Sequence, residues 1–168
     1  NNMAICMSGD FDYDEVINLV DKYFGSFERK EDPEFDVIIE NEISNPVVKN
    51  VYGPEAERIY VGFRLKGADS KEAYLLRMVD MLLSNTSAGL IDININQAQK
   101  AVGAGCFPYI LNDYSLHGFY ASPIADQSLE ELKDLLISQI DEIKSGNFSE
   151  WILDAIITDL KLEQIKKY

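Results

Sequence analysis

Residues 102–122 read Val-Gly-Ala-Gly-Cys-Phe-Pro-Tyr-Ile-Leu-Asn-Asp-Tyr-Ser-Leu-His-Gly-Phe-Tyr-Ala-Ser. Two β-prone runs, Val102 to Leu111 and Tyr114 to Ser122, flank the dipeptide Asn112-Asp113. Such a dipeptide between two strand-like runs is a two-residue hairpin signal. Pro108 has no N–H for a ladder, so the first run belongs at a sheet edge or at a bulge. Helical patterns lie on both sides of this hairpin. Hairpins beside unpaired helices mark an α+β chain with a mostly antiparallel sheet, not an alternating parallel one.

Toward the C-terminus, Ser128 and Glu131 stand at capping-box spacing. Leu129, Leu132, Leu136, Ile140 and Ile143 follow at helical spacing, and Gly146 ends the run. Ser149 opens a last helix, with Phe148 and Leu153 at the staple positions. Ile152, Ile156, Leu160 and the residues near Ile165 continue its apolar face. Toward the N-terminus, Arg58 to Leu65 alternates: Ile59, Val61, Phe63 and Leu65 on one face, Arg58, Tyr60 and Arg64 on the other. Pro46 to Tyr52 alternates weakly and is expected to be a further strand, joined through Gly53-Pro54. Between these strands and the hairpin, Ser70 caps a helix whose expected buried stripe is Tyr74, Leu75, Met78, Val79, Leu82 and Leu83. Leu90 to Gln99 is ambiguous, because Ile91, Ile93 and Ile95 alternate without strand flanks.

Met3 to Met7 is an apolar run expected to be a buried strand. Asp12 caps the helix behind it, with Glu15 three residues on; Val16, Leu19, Val20, Tyr23 and Phe24 recur at helical spacing before Gly25. Residues 28–45 form an acidic connection containing Pro33, with Phe35 to Ile39 expected to touch the core. Cys6 and Cys106 both fall in apolar runs and are expected to be buried free thiols. No internal repeat is visible, and residues 1–168 read as one domain. Position 1 is Asn rather than Met, and the chain enters an apolar run almost at once, which suggests a piece of a larger protein.

The formal net charge is −14, from 29 acids against 15 bases. Such a surface repels a phosphate backbone and an anionic lipid surface, so neither nucleic acid nor membrane is an expected partner. The chemistry available is sparse. His117 is the one histidine, so no His-x-x-x-His pair exists, and there is no Cys-x-x-Cys. A zinc site is therefore not expected in this chain, nor any other cofactor. Asp10, Asp12 and Asp14 imitate the start of a calcium loop, but Glu15 stands where Gly is required and Asp21 where Glu is. Gly103-Ala104-Gly105 opens a strand and lacks a third Gly, so it is no nucleotide fingerprint. A Cys106–His117 pair across the hairpin is conceivable, but no orienting group is evident. Catalytic and metal residues are expected to be absent.

The chain resembles the insulinase/pitrilysin-type zinc metallopeptidases, in the C-terminal, non-zinc-binding portion of a peptidase-like domain. The resemblance rests on Asn2-Met3, the apolar run, Ser8-Gly9-Asp10-Phe11-Asp12, and a helix ending Tyr23-Phe24-Gly25. Ile59-Tyr60-Val61-Gly62-Phe63, the Ala88-Gly89-Leu90 turn, Gly118-Phe119 in the hairpin and two final helices follow in the family's order. The resemblance implies a two-layer α/β sandwich, an antiparallel sheet with helices on one face. It implies that the family's inverted His-x-x-Glu-His zinc motif lies before the matched portion, so zinc belongs to the parent's catalytic domain. Other peptidase-like domains of the same protein and a peptide substrate are the implied partners. By analogy Leu90 to Gln97 is a short helix, although the family's Arg is missing there, and no Arg of the hairpin matches the family's substrate-gripping one.

The expected function is thus a non-catalytic domain supplying a chamber wall and a packing surface. Tyr109, Tyr114 and His117 are the candidate substrate contacts, since the hairpin is the most aromatic polar ribbon of the chain. The alternative is a scaffold module on the same fold with no peptidase role. The compartment, cytoplasmic or periplasmic, is not decided by these residues.

Overall fold

A computed structural model describes residues 3–31, 34, 36 and 39–166. The chain divides into two compact units, Asn1–Pro46 and Val47–Tyr168.

Among the described residues of the first unit the regular element is helix α1, Tyr13–Phe24. Asp12 keeps an extended backbone, and its carboxylate accepts from Glu15 N at 2.9 Å. That bond satisfies one of the orphan donors of the first turn, and Asp14 and Glu15 complement the positive end of the helix. Asp12 is thus spent on a cap. The helix closes at Gly25, whose N–H donates to Asp21 O at 2.7 Å. The expected strand at Met3 to Met7 does not form: these residues are irregular, and Met3, Ile5 and Met7 are exposed. An apolar run becomes a strand only when a neighbour completes its ladder, and no described segment pairs with it. Cys6 is accordingly exposed, not buried. Ile39 is exposed as well. The other expected features of the connection, Pro33, Phe35, Val37 and Ile38, lie outside the described residues, as does Asn2 of the entry motif.

The second unit is built on a three-stranded antiparallel sheet in the order β1-β3-β2, with β1 at Ile59–Lys66, β2 at Gly103–Ile110 and β3 at Tyr114–Ser122. The hairpin lies where the sequence puts it. Pro108 sits opposite His117 on β2, which pairs only with β3 among the described strands. The expected strand at Pro46 to Tyr52 is absent: Val47, Val48, Val51 and Tyr52 are exposed and unladdered. Its alternation was weak, and Gly53-Pro54 interrupts it before β1.

Helix α2, Lys71–Leu83, starts where the Ser70 side chain accepts from Ala73 N at 3.2 Å. Ala73, Leu76, Leu82 and Leu83 are its buried residues, whereas Tyr74 and Leu75 of the expected stripe are exposed. The stripe is rotated because α2 packs on two neighbours. Leu83 and Val79 join the sheet's cluster, while Leu82, Met78 and Met81 meet the last helix. The turn after α2 is tight. Asn85 Oδ1 accepts from Ala88 N at 2.8 Å and Gly89 N at 3.1 Å. A Cβ on Gly89 would stand 2.5 Å from Leu83 O, so only glycine fits.

Residues Asp92–Gln97 then form a π-helical turn. The helical expectation for this segment holds, with a wider pitch. Ile91 and Ile95 are buried in the core, and Ile93 is exposed. Helix α3, Leu129–Lys144, carries the full capping box between Ser128 and Glu131. It ends in a Schellman pattern: Gly146 has φ +72°, Gly146 N donates to Ile143 O, and Asn147 N donates to Glu142 O. Helix α4, Glu150–Lys166, follows. Ile152 and Ile156 are buried, Phe148 and Leu153 pack beside them, and Ile165 is exposed instead of continuing the face.

The main core joins Phe119, Ala121 and Ala104 from the sheet to Leu83, Ile91, Ile95, Leu132 and Leu136 from the helices. Helices therefore cover one face of the sheet, the α+β sandwich expected from the sequence. Truncating Leu132 or Leu136 to Ala would cost about 2–5 kcal/mol, because both are fully enclosed. Among the described residues no helix is long and apolar enough to cross a membrane.

Candidate functional site

Strand alternation divides the chemistry of this unit between two faces. The register aligns Tyr60, Tyr120 and Gly105 in one row, Gly62, Gly118 and Phe107 in the next, and Arg64, Leu116 and Tyr109 in a third. These residues belong to the face that the helices leave uncovered. Tyr60 is 64% exposed and Tyr109 59% exposed, so phenol rings form much of this surface. The glycines make it possible. A Cβ on Gly105 would lie 2.7 Å from Tyr120 Oη, and one on Gly118 would lie 2.6 Å from Phe107 Cε2. Rings thus lie flat over bare backbone, in place of standing away from the sheet.

Cations reach the same face from β1 and the residue before it. The Arg64 guanidinium sits 5.1 Å from the centroid of the Tyr114 ring, a cation–π contact. Arg58 Nη1 donates to Tyr60 Oη at 3.2 Å, and Arg58 Nε donates to Ser122 Oγ at 3.2 Å. No arginine lies within the hairpin itself, yet β1 and the residue before it supply two to its surface.

His117 belongs to the opposite, helix-covered face. It is buried, and its Nε2 lies 3.0 Å from Asp80 Oδ1 on α2. Its ring centroid is 4.5 Å from that of Phe119. The Cys106 thiol, from β2, donates to the backbone O of Asp80 at 3.7 Å. Burial, and then the Asp80 carboxylate, push this thiol well above the usual range for cysteine. Asp80, Cys106 and His117 each offer one ligand atom, and these atoms lie within 4.8 Å of one another. The structure therefore brings Cys106 and His117 together and adds Asp80 as an orienting group that the sequence reading did not find. Its signal was present: Asp80 is a lone acid within Met78-Val79-Asp80-Met81-Leu82. Of the three candidate contacts, Tyr109 and Tyr114 share the open face, and His117 does not.

The sequence and the fold each resemble known proteins. The family model for the peptidase M16 inactive domain matches residues 1–160. No curated protein matches. A crystal structure of a protease from Helicobacter pylori superposes with a TM-score of 0.71 at 20% sequence identity. That similarity covers 94% of this chain and 40% of the other, so this chain spans less than half of that protein's length.

Proposed function

The chain belongs to the family of peptidase M16 inactive domains, and on that premise we propose that it forms one wall of a peptide-enclosing chamber in a longer protein. The helix-free sheet face carries this reading, with exposed Tyr60 and Tyr109 beside Arg58 and Arg64. Such a face offers apolar area to peptide side chains and phenol or guanidinium donors to peptide carbonyls and carboxylates. The description of the matching family as an inactive domain supports a chain that does not itself supply the chemistry of cleavage. A zinc-bearing peptidase domain elsewhere in the same protein would do so, with the zinc held by that domain's own residues.

A protection experiment on the complete protein tests the placement. Cysteine introduced by Tyr109→Cys in a Cys6→Ser background is labelled with a maleimide, with and without a saturating peptide that resists cleavage. Labelling slows when the peptide is bound if the face lines the chamber. An unchanged labelling rate at full peptide occupancy removes the face from the chamber and leaves it as a scaffold surface.

A further inference from the structure

The polar cluster under the sheet lies on the other face from the proposed chamber wall and does not depend on that proposal. Three side chains from three elements converge there: Asp80 from α2, Cys106 from β2 and His117 from β3. A thiol, an imidazole and a carboxylate together form the donor set of a borderline-soft dication such as Zn²⁺. Linear spacing gives no hint of it, because the three are separated by 26 and 11 residues, the differences of 106 − 80 and 117 − 106.

We propose that Asp80, Cys106 and His117 bind a zinc-class divalent cation through Oδ, Sγ and Nε2, with water completing a tetrahedron. Bond lengths of about 2.0–2.3 Å in a tetrahedron require ligand atoms roughly 3.5 Å apart. The His117–Asp80 pair, at 3.0 Å, must open slightly, and the widest separation, no more than 4.8 Å, must close by about 1 Å.

The surroundings fit a cation better than they fit the bare groups. His117 and the half-buried Cys106 are held against a carboxylate at the edge of an apolar core. Asp92, which accepts from Asn85 N at 2.8 Å, adds further negative field at Cys106. A dication offsets both the desolvation of the thiolate and its repulsion by these carboxylates.

Binding is balanced as follows. The S–H bond of Cys106 breaks, its proton goes to solvent, and the S–metal bond forms. His117 adopts the Nδ1–H tautomer, so its Nε2 lone pair reaches the metal, and Asp80 exchanges the His117 hydrogen bond for a metal–oxygen bond. Thiolate and carboxylate together neutralise the dication.

Cobalt titration of the chelator-treated full protein, followed in the near ultraviolet, is the test. A thiolate ligand gives a sulfur-to-cobalt charge-transfer absorption, which a histidine–glutamate zinc site elsewhere in the protein cannot give. The band is expected to saturate in the wild type and in Cys6→Ser, to vanish in Cys106→Ser, and to bleach on adding zinc. Absence of the band in the folded wild type at micromolar cobalt overturns the proposal without reference to any variant. Persistence of the band in Cys106→Ser, or its loss in Cys6→Ser, also overturns it.

Discussion

The side-chain amide of Asn96 holds both backbone groups of Ala104: Asn96 Nδ2 donates to Ala104 O at 2.9 Å, and Ala104 N donates to Asn96 Oδ1 at 2.9 Å. Ala104 stands opposite Ala121 on β3, so its bonds to Asn96 fall on the other edge of β2. A side chain thus takes the place of a fourth strand at that point and blunts an edge that would otherwise invite pairing. The wide turn Asp92–Gln97 makes this possible, since Ile95 faces the core while Asn94 and Asn96 reach α3 and β2.

Asn96→Ala removes two hydrogen bonds and leaves an N–H and a C=O partly buried. The expected cost is about 2–3 kcal/mol, at roughly 1 kcal/mol per bond plus residual desolvation. Asn96→Asp keeps an acceptor for Ala104 N but turns a carboxylate toward Ala104 O, so its cost should be at least as large at neutral pH. Urea denaturation measures both. A cost below about 0.5 kcal/mol for Asn96→Ala, the level of an ordinary surface change, would show that water replaces the amide without loss.

Phe107 lies over Gly118 on the open face, and the pair should behave as a unit. Gly118→Ala places a methyl group inside the ring's space and should destabilise by about 1–3 kcal/mol. The same substitution in a Phe107→Ala background should cost far less, because the obstacle is gone. The coupling energy from the double-mutant cycle is expected between about 0.5 and 3 kcal/mol. Additivity within error would mean that the ring moves aside freely and that glycine is not what holds it flat.

Much of this fold is legible in the residues, and for local reasons. Asp12, Ser70 and Ser128 announce helix starts because a capping bond spans three residues. Asn112-Asp113 announces the hairpin for the same reason of range. The strands expected at Met3–Met7 and Pro46–Tyr52 fail because strand formation needs a distant partner, which composition does not report. Tyr74 and Leu75 are misread because α2 serves two clusters, and periodicity gives the width of a stripe but not its direction. Tyr109 was legible as a candidate contact from the aromatic content of the hairpin, but which face of the hairpin meets solvent was not, since that depends on where the helices pack. The meeting of Asp80 with His117 was not, since it depends on how α2 lies across the sheet.

The two cysteines should separate chemically. Alkylation proceeds through the thiolate, and burial first, then Asp80, raises the Cys106 thiol above its ordinary range. Cys6 is exposed. Iodoacetamide at pH 8 on metal-free native protein should therefore modify Cys6 and spare Cys106, as read by peptide mass mapping. The same shift has a stability consequence. The folded thiol keeps its proton to higher pH than the unfolded thiol, whose value is about 8.5. The stabilisation is complete below that value and is lost as pH rises from it toward the raised folded value. Between about pH 8.5 and 10.5, the urea midpoint should fall more steeply for the wild type than for Cys106→Ala. Equal slopes would remove the thiol as the cause.

Tyr109 offers the sharpest test of the open face. Its ring is more than half exposed and meets Phe107 edge-on at 6.4 Å, so the packing uses its carbon skeleton. Tyr109→Phe keeps that skeleton and deletes only the hydroxyl. If the hydroxyl donates to a peptide carbonyl during turnover, the complete protein should lose about tenfold in kcat/KM, equivalent to roughly 1–1.5 kcal/mol. Melting temperature and zinc content should not change, because nothing in the fold rests on the oxygen. The division between kcat and KM adds information. A rise in KM alone means that the bond is as strong in the bound ground state as in the transition state, whereas a fall in kcat means that it tightens as the reaction proceeds. Tyr114→Phe is the companion variant. It retains the ring over which Arg64 sits, so any loss of activity again reports the hydroxyl and not the cation–π contact. Unchanged kinetics in both variants, or a fall in melting temperature that accounts for the lost activity, would make these tyrosines part of the packing and not of the chamber.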